Sequence, residues 1–394
     1  MSRINELIQQ LCPNGIEYKE LGEVISALRT GLNPRQNFKL NTIDAEHYYV
    51  TVRELNGFSI KVSEKTDRVD SIGLSLIQNR SKIQIGDILF SGTGTIGRTA
   101  HVNKLPSNWN VKEGIYVITP VVSLIDSRFL IYLIQSNQIY NQILSKADGS
   151  TVASISMASL KKIQIPIPPL EIQKEIVKTL DLFTELEAEL EAELEARKIQ
   201  YTFYRDALLS FEDKQVEWKT LREVSKILRG TAITKKETVE GEFPVVANGP
   251  TPIYFHNKNN RSGEIVVIAR SGAYCGLVTY WNRPLFLTDA FSIHPDQTLL
   301  KTKFLYFFLK KNQDKIHLLK KGSGVPHVQA KEFESYSVPI PPLHEQERIV
   351  NILDKFDALV NDISIGLPAE IEARCKQYEY YKNKLLTFKN ANNG

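Results

Sequence analysis

Metal-binding side chains are scarce in this chain of 394 residues. Its three cysteines, Cys12, Cys275 and Cys375, are far apart and form no C-x-x-C pair. An odd number of widely spaced cysteines argues against a disulfide framework and against a zinc site. The seven histidines show no ligand spacing either. We therefore expect this chain to bind no metal ion.

Long apolar runs are also missing. No stretch approaches the roughly 18 apolar residues that a membrane span needs. The opening MSRINELIQQLCPNG lacks the apolar stretch of a signal peptide and instead predicts a short amphipathic helix, with Ile4, Leu7, Ile8 and Leu11 on one face. With 42% hydrophobic and 24% charged residues, we expect an ordinary soluble protein in the cytoplasm.

Recognisable catalytic patterns are absent, and a search for a Ser-His-Asp triad or a carboxylate cluster finds nothing convincing. One glycine loop, FSGTGTIGRT from Phe90 to Thr99, imitates an S-adenosylmethionine site, a dinucleotide fingerprint and a P-loop in which Arg98 replaces the lysine. Each of these motifs requires a helix directly after the loop. The residues that follow, AHVNKLPSNWN, are strand-like. We therefore predict no cofactor in this chain and no catalysis.

A second segment, ARSGAYCGLVTY, keeps glycines at Gly272 and Gly276 but breaks all three motifs. Glycines shared by two otherwise different loops predict a tight turn. Such a turn is either purely structural or brings side chains close to a ligand. The ligand-contacting candidates are Thr93, Thr95 and Arg98 in the first loop and Arg270, Ser271 and Tyr274 in the second.

The dominant feature of the sequence is an internal duplication. IPIPPLEIQKEIV at Ile165 and VPIPPLHEQERIV at Val338 agree at eight of 13 positions. Similar pairs are GIEYKELGEVISALRTG with QVEWKTLREVSKILRGT, and ARKIQYTFYRDALLSF with ARCKQYEYYKNKLLTF. A period near half the chain predicts two units that fold alike about a pseudo-two-fold axis, and not a solenoid.

Each copy begins with short β-type runs, such as GDILFS and GIYVITP, which Gly and Asn interrupt. Each run of strands closes with an apolar helix, Phe129 to Leu144 in the first copy and Phe304 to Leu319 in the second. This pattern predicts a compact α+β domain.

Each copy then ends in a periodic segment that follows a proline pair. Prolines can lead into a helix but cannot lie inside one. Apolar residues recur at steps of three and four from Ile172 and again from Ile349 to Ile363, a stripe that favours packing against another helix. From Ile172 to Leu209 an unbroken helix would be about 57 Å long, whereas the second helix should kink or restart at Gly366.

The predicted fold class is therefore α+β, with two similar globular domains separated by an antiparallel two-helix coiled coil. The expected boundaries are 1–160 and 212–330 for the domains, and 161–211 and 331–394 for the helical segments. An ordinary helical hairpin that serves only stability is the alternative for the helices.

Charge alternates along the chain in the same blocks. Residues 1–160 hold 16 basic and 14 acidic side chains, and residues 212–330 hold 18 and 11. The helical blocks are acidic, with 7 basic and 10 acidic residues in 161–211 and 8 and 10 in 331–394. Two basic blocks suit a polyanionic ligand, although scattered surface charge gives the same sums.

These features together resemble the specificity subunit of type I restriction-modification systems. The resemblance covers nearly the whole chain and rests on the duplicated PIPPL phrases, the helices behind them and the paired endings Tyr204–Phe211 and Tyr381–Phe388. The tandem tetrapeptides LEAELEAELEAR, Leu186 to Arg197, resemble the short repeat of one branch of that family, although a Glu-rich helix surface would look the same.

The resemblance implies two target recognition domains that each read one half of a bipartite site in double-stranded DNA. It implies that the helices set the spacer between the half-sites and dock two modification subunits. Restriction subunits would join the complex, and S-adenosylmethionine, ATP and magnesium would belong to these partners. A protein–protein scaffold with duplicated binding domains is the rival interpretation.

Lys and Arg contacts to phosphates would position each domain, and side chains on loops would read base edges. Arg29 and Arg229 align across the copies and are the first candidates. The other basic candidates are Arg35, Arg53 and Arg98, then Lys235, Lys236 and Arg270. For each of them a solvated surface charge is the alternative.

Aromatic clusters near the ends of the two helices could dock the modification subunits, or simply pack the helix pair. They are Tyr201, Phe203 and Tyr204 in the first copy and Tyr378, Tyr380 and Tyr381 in the second.

Overall fold

The computed structural model describes residues 2–149, 152–212, 215–321, 326–362 and 364–391. The chain forms two compact units, which we call unit 1 and unit 2. Unit 1 comprises Met1–Ala188 and Glu372–Gly394, and unit 2 comprises Glu189–Ile371. Each unit thus combines a globular domain with parts of the long helices. The four-part division of the chain stays a prediction.

The elements of the first half are short until the last helix. The strands are β1 (Tyr18–Glu20), β2 (Ile25–Thr30), β3 (His47–Val50), β4 (Leu55–Asn56), β5 (Ser59–Ile60), β6 (Arg68–Val69), β7 (Ile88–Ser91), β8 (Thr99–His101), β9 (Trp109–Val111), β10 (Ile115–Pro120) and β11 (Gln164–Pro166). The helices are α1 (Ser2–Leu11), α2 (Ser71–Ser81), α3 (Ser127–Ile134), α4 (Asn137–Ser145), α5 (Met157–Lys161) and α6 (Leu170–Leu208).

The second half follows the same order with fewer elements. The strands are β12 (Glu217–Thr220), β13 (Ser225–Arg229), β14 (Phe243–Val246), β15 (Tyr254–His256), β16 (Glu264–Ala269), β17 (Val278–Asn282), β18 (Phe286–Leu287), β19 (Ala290–Pro295) and β20 (Ser337–Ile340). The helices are α7 (Leu221–Val224), α8 (Thr302–Lys311), α9 (Gln313–His317), α10 (Ala330–Glu334), α11 (Leu343–Asn361) and α12 (Leu367–Leu385). Single 3₁₀ turns form at Leu21–Glu23, Val52–Glu54 and Lys235–Glu237.

The two globular domains share one sheet plan. An antiparallel sheet has the order β2-β10-β7-β8 in unit 1 and β13-β19-β16-β17 in unit 2. A smaller sheet has the order β6-β3-β9 or β15-β14-β18, and in both cases its last pair is parallel. The pairs β1–β11 and β12–β20 join the start of each domain to its proline-rich end. The predicted duplication of an α+β domain is confirmed.

The central strand β10 begins with four residues that are buried on alternating faces of the sheet. Tyr116 and Ile118 belong to the main core of unit 1, whereas Ile115 and Val117 face a second cluster on the other side of the sheet. Successive side chains of a strand point to opposite faces, and both faces of this strand are covered. Strand β19 in unit 2 has the same alternation, with Phe291 and Ile293 in the main core.

The units differ in one insertion beside the small sheet. Residues 51–67 link β3 to β6 in unit 1 and include the hairpin β4–β5, whereas residues 247–253 link β14 to β15 in unit 2. Helix α2, which follows β6, also belongs to unit 1. The sequence comparison did not locate these insertions.

The apolar helix that closes each domain is shorter than predicted. The stretch predicted as Phe129–Leu144 is divided into α3 and α4, and Phe304–Leu319 is divided into α8 and α9. Ser136 begins α4 as an N-cap, because its side chain accepts a hydrogen bond from the backbone N–H of Ile139. The prediction of one continuous helix was therefore wrong.

The long helices form largely as predicted. Helix α6 has 39 residues, which corresponds to about 58 Å, and the second stretch restarts at Leu367 after α11 ends at Asn361. Ile363 of the predicted stripe lies outside the described residues. Within unit 1, Phe183 contacts Tyr381 and Glu187 contacts Cys375, so these helix segments run antiparallel.

The short N-terminal helix α1 also forms as predicted, with Ile4 and Leu7 buried. Across the described residues, no helix is both long enough and apolar enough to cross a membrane.

Candidate nucleic-acid interface

The glycine loop of unit 1 is the turn of the hairpin β7–β8. Gly94 and Gly97 have φ values of +79° and +90°, which L side chains rarely adopt. A Cβ on Gly92 would lie 2.3 Å from the ring of Tyr116. The loop leads into strand β8 and not into a helix, so it lacks the helix N-terminus that a phosphate or dinucleotide loop requires.

The tip of this hairpin exposes three candidate side chains: Thr93, Thr95 and Arg98. The Arg98 guanidinium donates to the carbonyl of Val52, at 3.4 Å, and therefore reaches the 3₁₀ turn that carries Arg53. Arg53 and Thr93 also line one cavity of about 310 Å³. The structure thus brings four predicted residues onto one patch, which we call patch 1: Arg53, Thr93, Thr95 and Arg98.

Patch 1 keeps a positive side chain accessible to solvent. Arg53 is 59% exposed although its guanidinium lies 3.0 Å from a carboxylate oxygen of Asp67. An ion pair this exposed contributes little to stability, about 0–1 kcal/mol, so its arginine can exchange partners at small cost. This geometry is suitable for a phosphate contact.

The turn between β16 and β17 occupies the equivalent place in unit 2. Gly272 and Gly276 have φ values of +77° and +82°. Ser271 pairs with His327 in an isolated antiparallel bridge, just as Thr93 pairs with Ser154 in unit 1. The two loops are therefore counterparts in structure, although their side chains differ.

A hydrogen-bonded network, absent from the sequence prediction, supports this second turn. Asn248 accepts from the backbone N–H groups of Arg270 and Ser271 and donates to Asp289 at 2.6 Å. The Ser271 hydroxyl also donates to Asp289, at 2.7 Å. Burial alone would raise the pKa of Asp289, but these bonds and the nearby Arg270 hold it below its usual value. Asp289 therefore stays ionised near neutral pH.

Arg270 and Tyr274 complete the exposed surface of this turn. The Arg270 side chain is 47% exposed and lies 3.5 Å from Asp289, and Tyr274 is 52% exposed. We call these residues patch 2: Arg270, Ser271 and Tyr274 together with Asn248 and Asp289. Ser271 is only 8% exposed, so it is better placed to support the turn than to touch a ligand.

The aligned arginines Arg29 and Arg229 have different surroundings. The Arg29 side chain is 18% exposed and is bound to the buried carboxylate of Asp87, at 3.0 Å, and to Thr119. Arg229 is exposed, and its carbonyl accepts from the Arg261 guanidinium. Of the two first candidates, Arg229 alone offers an exposed side chain, whereas Arg29 holds strand β2 to its neighbours.

The remaining basic candidates lie in matching turns after the first strand of each large sheet. Arg35 is exposed in the turn 34–37, with a φ of +27°. Lys235 and Lys236 are exposed in a 3₁₀ turn that Thr234 and Glu237 cap. No direct contact joins these turns to the hairpin patches among the side-chain bonds that the described residues make.

The aromatic candidates on the helices occur as two matching sets. Tyr204 stacks on Phe356 in unit 2, and Tyr381 stacks on Phe183 in unit 1; in both pairs the ring centroids are 5.5 Å apart and the planes differ by 27°. Tyr201 and Tyr378 are half-buried beside these pairs. These four residues therefore pack helices together within their units, and their docking role stays a prediction.

Phe203 and Tyr380 are the exposed members of the two sets. The two residues are 68% and 60% exposed, respectively. Each makes an edge-to-face contact with the tyrosine that follows it, Tyr204 or Tyr381, with ring centroids 5.5 and 5.3 Å apart. Aromatic side chains are enriched at protein interfaces relative to the rest of the surface. They are the docking candidates that the structure leaves accessible.

A family comparison covers both halves of the chain. The model described as "Type I restriction modification DNA specificity domain" matches residues 13–196 and again residues 214–373. The chain belongs to the type I restriction-modification DNA specificity family. The double match also agrees with the duplicated sheet plan. The tetrapeptide branch within the family stays a prediction.

A curated relative supports the same assignment. The chain is 37% identical over 263 residues to the type I restriction enzyme EcoR124I/EcoR124II specificity subunit of Escherichia coli, a match that spans 59% of this chain and 65% of that relative.

Two solved structures share the fold at 20% sequence identity. The S subunit of a type I restriction-modification system from M. genitalium gives a TM-score of 0.61 and covers 94% of this chain and 96% of its own. A chain from a structure on complex assembly and conformational transition of the type I R-M system gives 0.62, with coverage of 94% and 97%.

The duplicated family phrase has a structural explanation that its sequence alone did not predict. Its glutamine, Gln173 or Gln346, is fully buried and makes three bonds that are the same in both units. Gln173 accepts from the N–H of Asp126 at 2.8 Å and donates to the carbonyls of Leu124 and Pro168 at 2.9 and 2.7 Å. Each glutamine thus fastens the start of a long helix to the loop before the domain's closing helix.

The bonds of Gln346 repeat this set atom for atom. It accepts from the N–H of Lys301 at 2.8 Å and donates to the carbonyls of Leu299 and Pro341 at 2.9 and 2.7 Å. The signal was present in the sequence, because glutamine is the polar residue that both copies of the phrase share.

An ion pair adds to this attachment in both units. Arg128 binds Asp181 in unit 1 through two nitrogens, at 3.1 and 2.6 Å, and Lys303 binds Asp354 in unit 2 at 2.7 Å. Each joins the closing helix of a domain to the long helix behind the prolines. Within the described residues, no group of three or more His, Cys, Asp or Glu side chains could hold a metal ion.

Proposed function

We propose that this chain is the DNA-recognition subunit of a type I restriction-modification complex. Each globular domain reads one half of a bipartite site in double-stranded DNA. The observation that carries the proposal is the repeated placement of one exposed glycine hairpin on two domains of the same sheet plan. Two copies of one recognition domain suit a DNA target that has two separate runs of specified base pairs.

Patches 1 and 2 supply the contacts in this proposal. Arg53 and Arg98 in unit 1 and Arg270 in unit 2 are planar donors that can bind phosphate or the O6 and N7 atoms of guanine. Arg35, Arg229, Lys235 and Lys236 add positive charge on neighbouring turns and position the domains on the phosphate backbone. Asp289 is an acceptor that suits the amino group of cytosine.

The long helices set the distance between the half-sites and dock two modification subunits. Phe203 and Tyr380 are the proposed anchors, because each belongs to a matching aromatic set and remains exposed. Two equivalent sets suit two copies of one partner. Residues 161–211 and 331–394 are the proposed helical segments, and residues 1–160 and 212–330 the proposed target recognition domains.

Catalysis belongs to the partners in this proposal. The modification subunits bind S-adenosylmethionine and methylate adenine, and restriction subunits that use ATP and magnesium cleave unmodified DNA. The hairpin turn that replaces a cofactor loop at Phe90–Thr99 supports a chain without a cofactor of its own.

The test is to co-express the chain with its modification subunit and to map adenine methylation across a genome. We expect a split motif, two short specified blocks around an unspecified gap. A continuous motif, or no methylation by a complex that assembles, would contradict the proposal. A scaffold that binds only proteins would also assemble, but it would leave the methylation pattern unchanged when patch residues are substituted.

A further inference from the structure

Unit 2 contains a large open cavity that the proposed function does not use. It has a volume of about 710 Å³, within the usual range of ligand pockets. Most of its lining residues come from strand β17, helix α8, helix α11 and the link 247–253, and all of them lie in unit 2. Those that matter here are Pro250, Tyr280, Lys303, Tyr306, Asp354 and Ala358.

The equivalent place in unit 1 is filled by an aromatic side chain. Phe58, at the turn of the hairpin β4–β5, packs on Tyr132 with ring centroids 4.8 Å apart. The Arg128 guanidinium lies over the same ring at 4.4 Å. The Phe58 carbonyl accepts from the N–H of His101 on β8, at 3.4 Å, which holds the hairpin against the sheet.

The residues around Phe58 have direct counterparts at the cavity. The pair Arg128–Asp181 corresponds to Lys303–Asp354, because both join a closing helix to a long helix. His101 on β8 corresponds to Tyr280 on β17, which has the same place in the sheet order. The link 247–253 of unit 2 is shorter and has no counterpart of the β4–β5 hairpin. Among its described residues, unit 2 therefore keeps counterparts of the residues that surround Phe58 but has no residue in the place of Phe58.

The lining groups favour an aromatic occupant over water. Tyr280 and Tyr306 stand with ring centroids 5.7 Å apart, and the Lys303 ammonium lies 5.4 Å from the centre of the Tyr280 ring. Burial raises the pKa of Tyr306 to about 12 and lowers the pKa of Lys310 despite the nearby Asp357. A third ring in such a site gains edge and face contacts with both tyrosine rings.

Charge also constrains the occupant. The cavity is lined by three carboxylates, Asp354, Asp357 and Asp362, and by two ammonium groups, Lys303 and Lys310. Lys303 is already paired with Asp354. The other lining charges are the carboxylates of Asp357 and Asp362 and the ammonium group of Lys310, so their net charge is negative. A partner segment with a basic residue next to its aromatic residue therefore fits better than one with an acidic residue there.

We propose that this cavity receives an aromatic side chain with a basic neighbour from the modification subunit that binds unit 2. The inference rests on the proposed function for the identity of the partner. Helix α11 connects the two surfaces within unit 2, because it carries Asp354 and Ala358 of the cavity and Phe356, on which Tyr204 stacks beside the exposed Phe203. Unit 1 supplies its own ring, so its partner copy needs no such insertion.

The test compares matched tryptophan substitutions in the complete chain. Ala358→Trp places a large ring in the cavity from helix α11. Glu185→Trp introduces the same ring at the corresponding position of α6, one turn after Asp181. Affinity for the purified modification subunit would be measured for both variants and for the unchanged chain, with circular dichroism and thermal unfolding as checks on folding.

We expect Ala358→Trp to weaken binding of the modification subunit at least tenfold, and Glu185→Trp to change it less than twofold. Tyr280→Ala, which removes a ring from the wall, should weaken binding about threefold and serves if Ala358→Trp fails to fold. Equal affinities for all variants, or equal losses for the two tryptophan variants, would overturn the inference.

Two further outcomes separate this inference from the function on which it rests. If the unchanged chain does not bind the modification subunit at all, the proposed function fails. If the isolated chain self-associates and Ala358→Trp abolishes that association, the occupant is a second copy of this chain and the inference is wrong.

Discussion

At the scale of single residues, polar side chains that make several bonds explain more than the arginines that a sequence search selects first. Arg29 is the clearest case, because its guanidinium is bound to Asp87 and Thr119 inside unit 1. Gln173 and Gln346 are the opposite case, since an unremarkable residue type makes three bonds to backbone groups in each unit. The role of a buried polar side chain therefore depends more on its hydrogen-bond partners than on its residue type.

Gln173→Ala should therefore destabilise unit 1 by about 2–4 kcal/mol, because one backbone N–H and two carbonyls lose a buried partner. Gln346→Ala should have the same effect on unit 2. Urea unfolding followed by circular dichroism measures the loss. Lys174→Ala, an exposed neighbour on α6, is the control, and a glutamine variant as stable as this control would show that the bonds are dispensable.

Arg98→Ala and Arg270→Ala should each weaken specific DNA binding by the assembled complex roughly tenfold, as the loss of a base or phosphate contact does. The effects should separate by half-site, since the two arginines lie in different units. Binding to duplexes with one altered half-site measures this separation. Arg348→Ala, which removes an equal charge paired with Glu345 on α11, should leave affinity within twofold.

At the scale of elements, the long helices combine a buried beginning with an exposed continuation. In α6 the buried positions end at Leu180, before the tetrapeptides begin. The tandem repeats are therefore free to change in number without disturbing the core of unit 1. A helix that is attached at its start and regular beyond it can act as a spacer of variable length.

Deleting Leu190–Glu193, one tetrapeptide, removes about 6 Å of helix. At ~3.4 Å per base pair, the unspecified gap of the methylated motif should shorten by one or two base pairs while both half-sites stay the same. Methylation mapping of the two variants measures the gap. Replacing these four residues by another Leu-Glu-Ala-Glu-like helical tetrapeptide of equal length should leave it unchanged, and an unaltered gap after the deletion would refute the spacer role.

Phe203→Ser and Tyr380→Ser should each weaken the modification subunit's binding about tenfold with little change in the stability of the chain, because both rings are exposed. Tyr204→Ala should instead lower stability by about 1–3 kcal/mol, since it removes a ring stacked on Phe356. Titration of the partner and thermal unfolding distinguish the two classes. Loss of stability in the serine variants would assign these rings to helix packing.

At the scale of the whole molecule, positive charge is unequally divided between the two domains. Residues 212–330 hold 18 basic and 11 acidic side chains, against 16 and 14 in residues 1–160. If both domains bind the DNA backbone, the second should release more counterions than the first. The excess is carried in part by Lys235 and Lys236, which lie exposed on one turn.

Affinity of the complex for its target should consequently fall by 10³ or more between about 50 and 200 mM salt, as for proteins with six to ten phosphate contacts. Lys235→Gln with Lys236→Gln should reduce the slope of log affinity against log salt by about two. A slope equal to that of the unchanged complex would remove these lysines from the interface. A complex whose affinity did not depend on salt would point to the scaffold interpretation.

The sequence alone determined the duplication, the α+β plan of each domain, the proline-led helices and the restart at Gly366, because these depend on local pattern and on comparison of two copies. It also identified the residues of both glycine turns, since positive φ restricts such turns to glycine in either copy.

Which candidates share a patch depends on contacts that the sequence does not encode locally. The Arg98 side chain reaches the turn that carries Arg53 by donating to the carbonyl of Val52, 46 residues away in the chain. The Arg29 side chain is largely buried because it binds Asp87, which lies 58 residues away. The structure also decided that a short link in unit 2 leaves open the site that Phe58 fills in unit 1. Contacts between distant segments leave no periodic pattern in the sequence. The absence of a hairpin in unit 2 leaves a cavity only because the strand and helices that would surround the hairpin are still present.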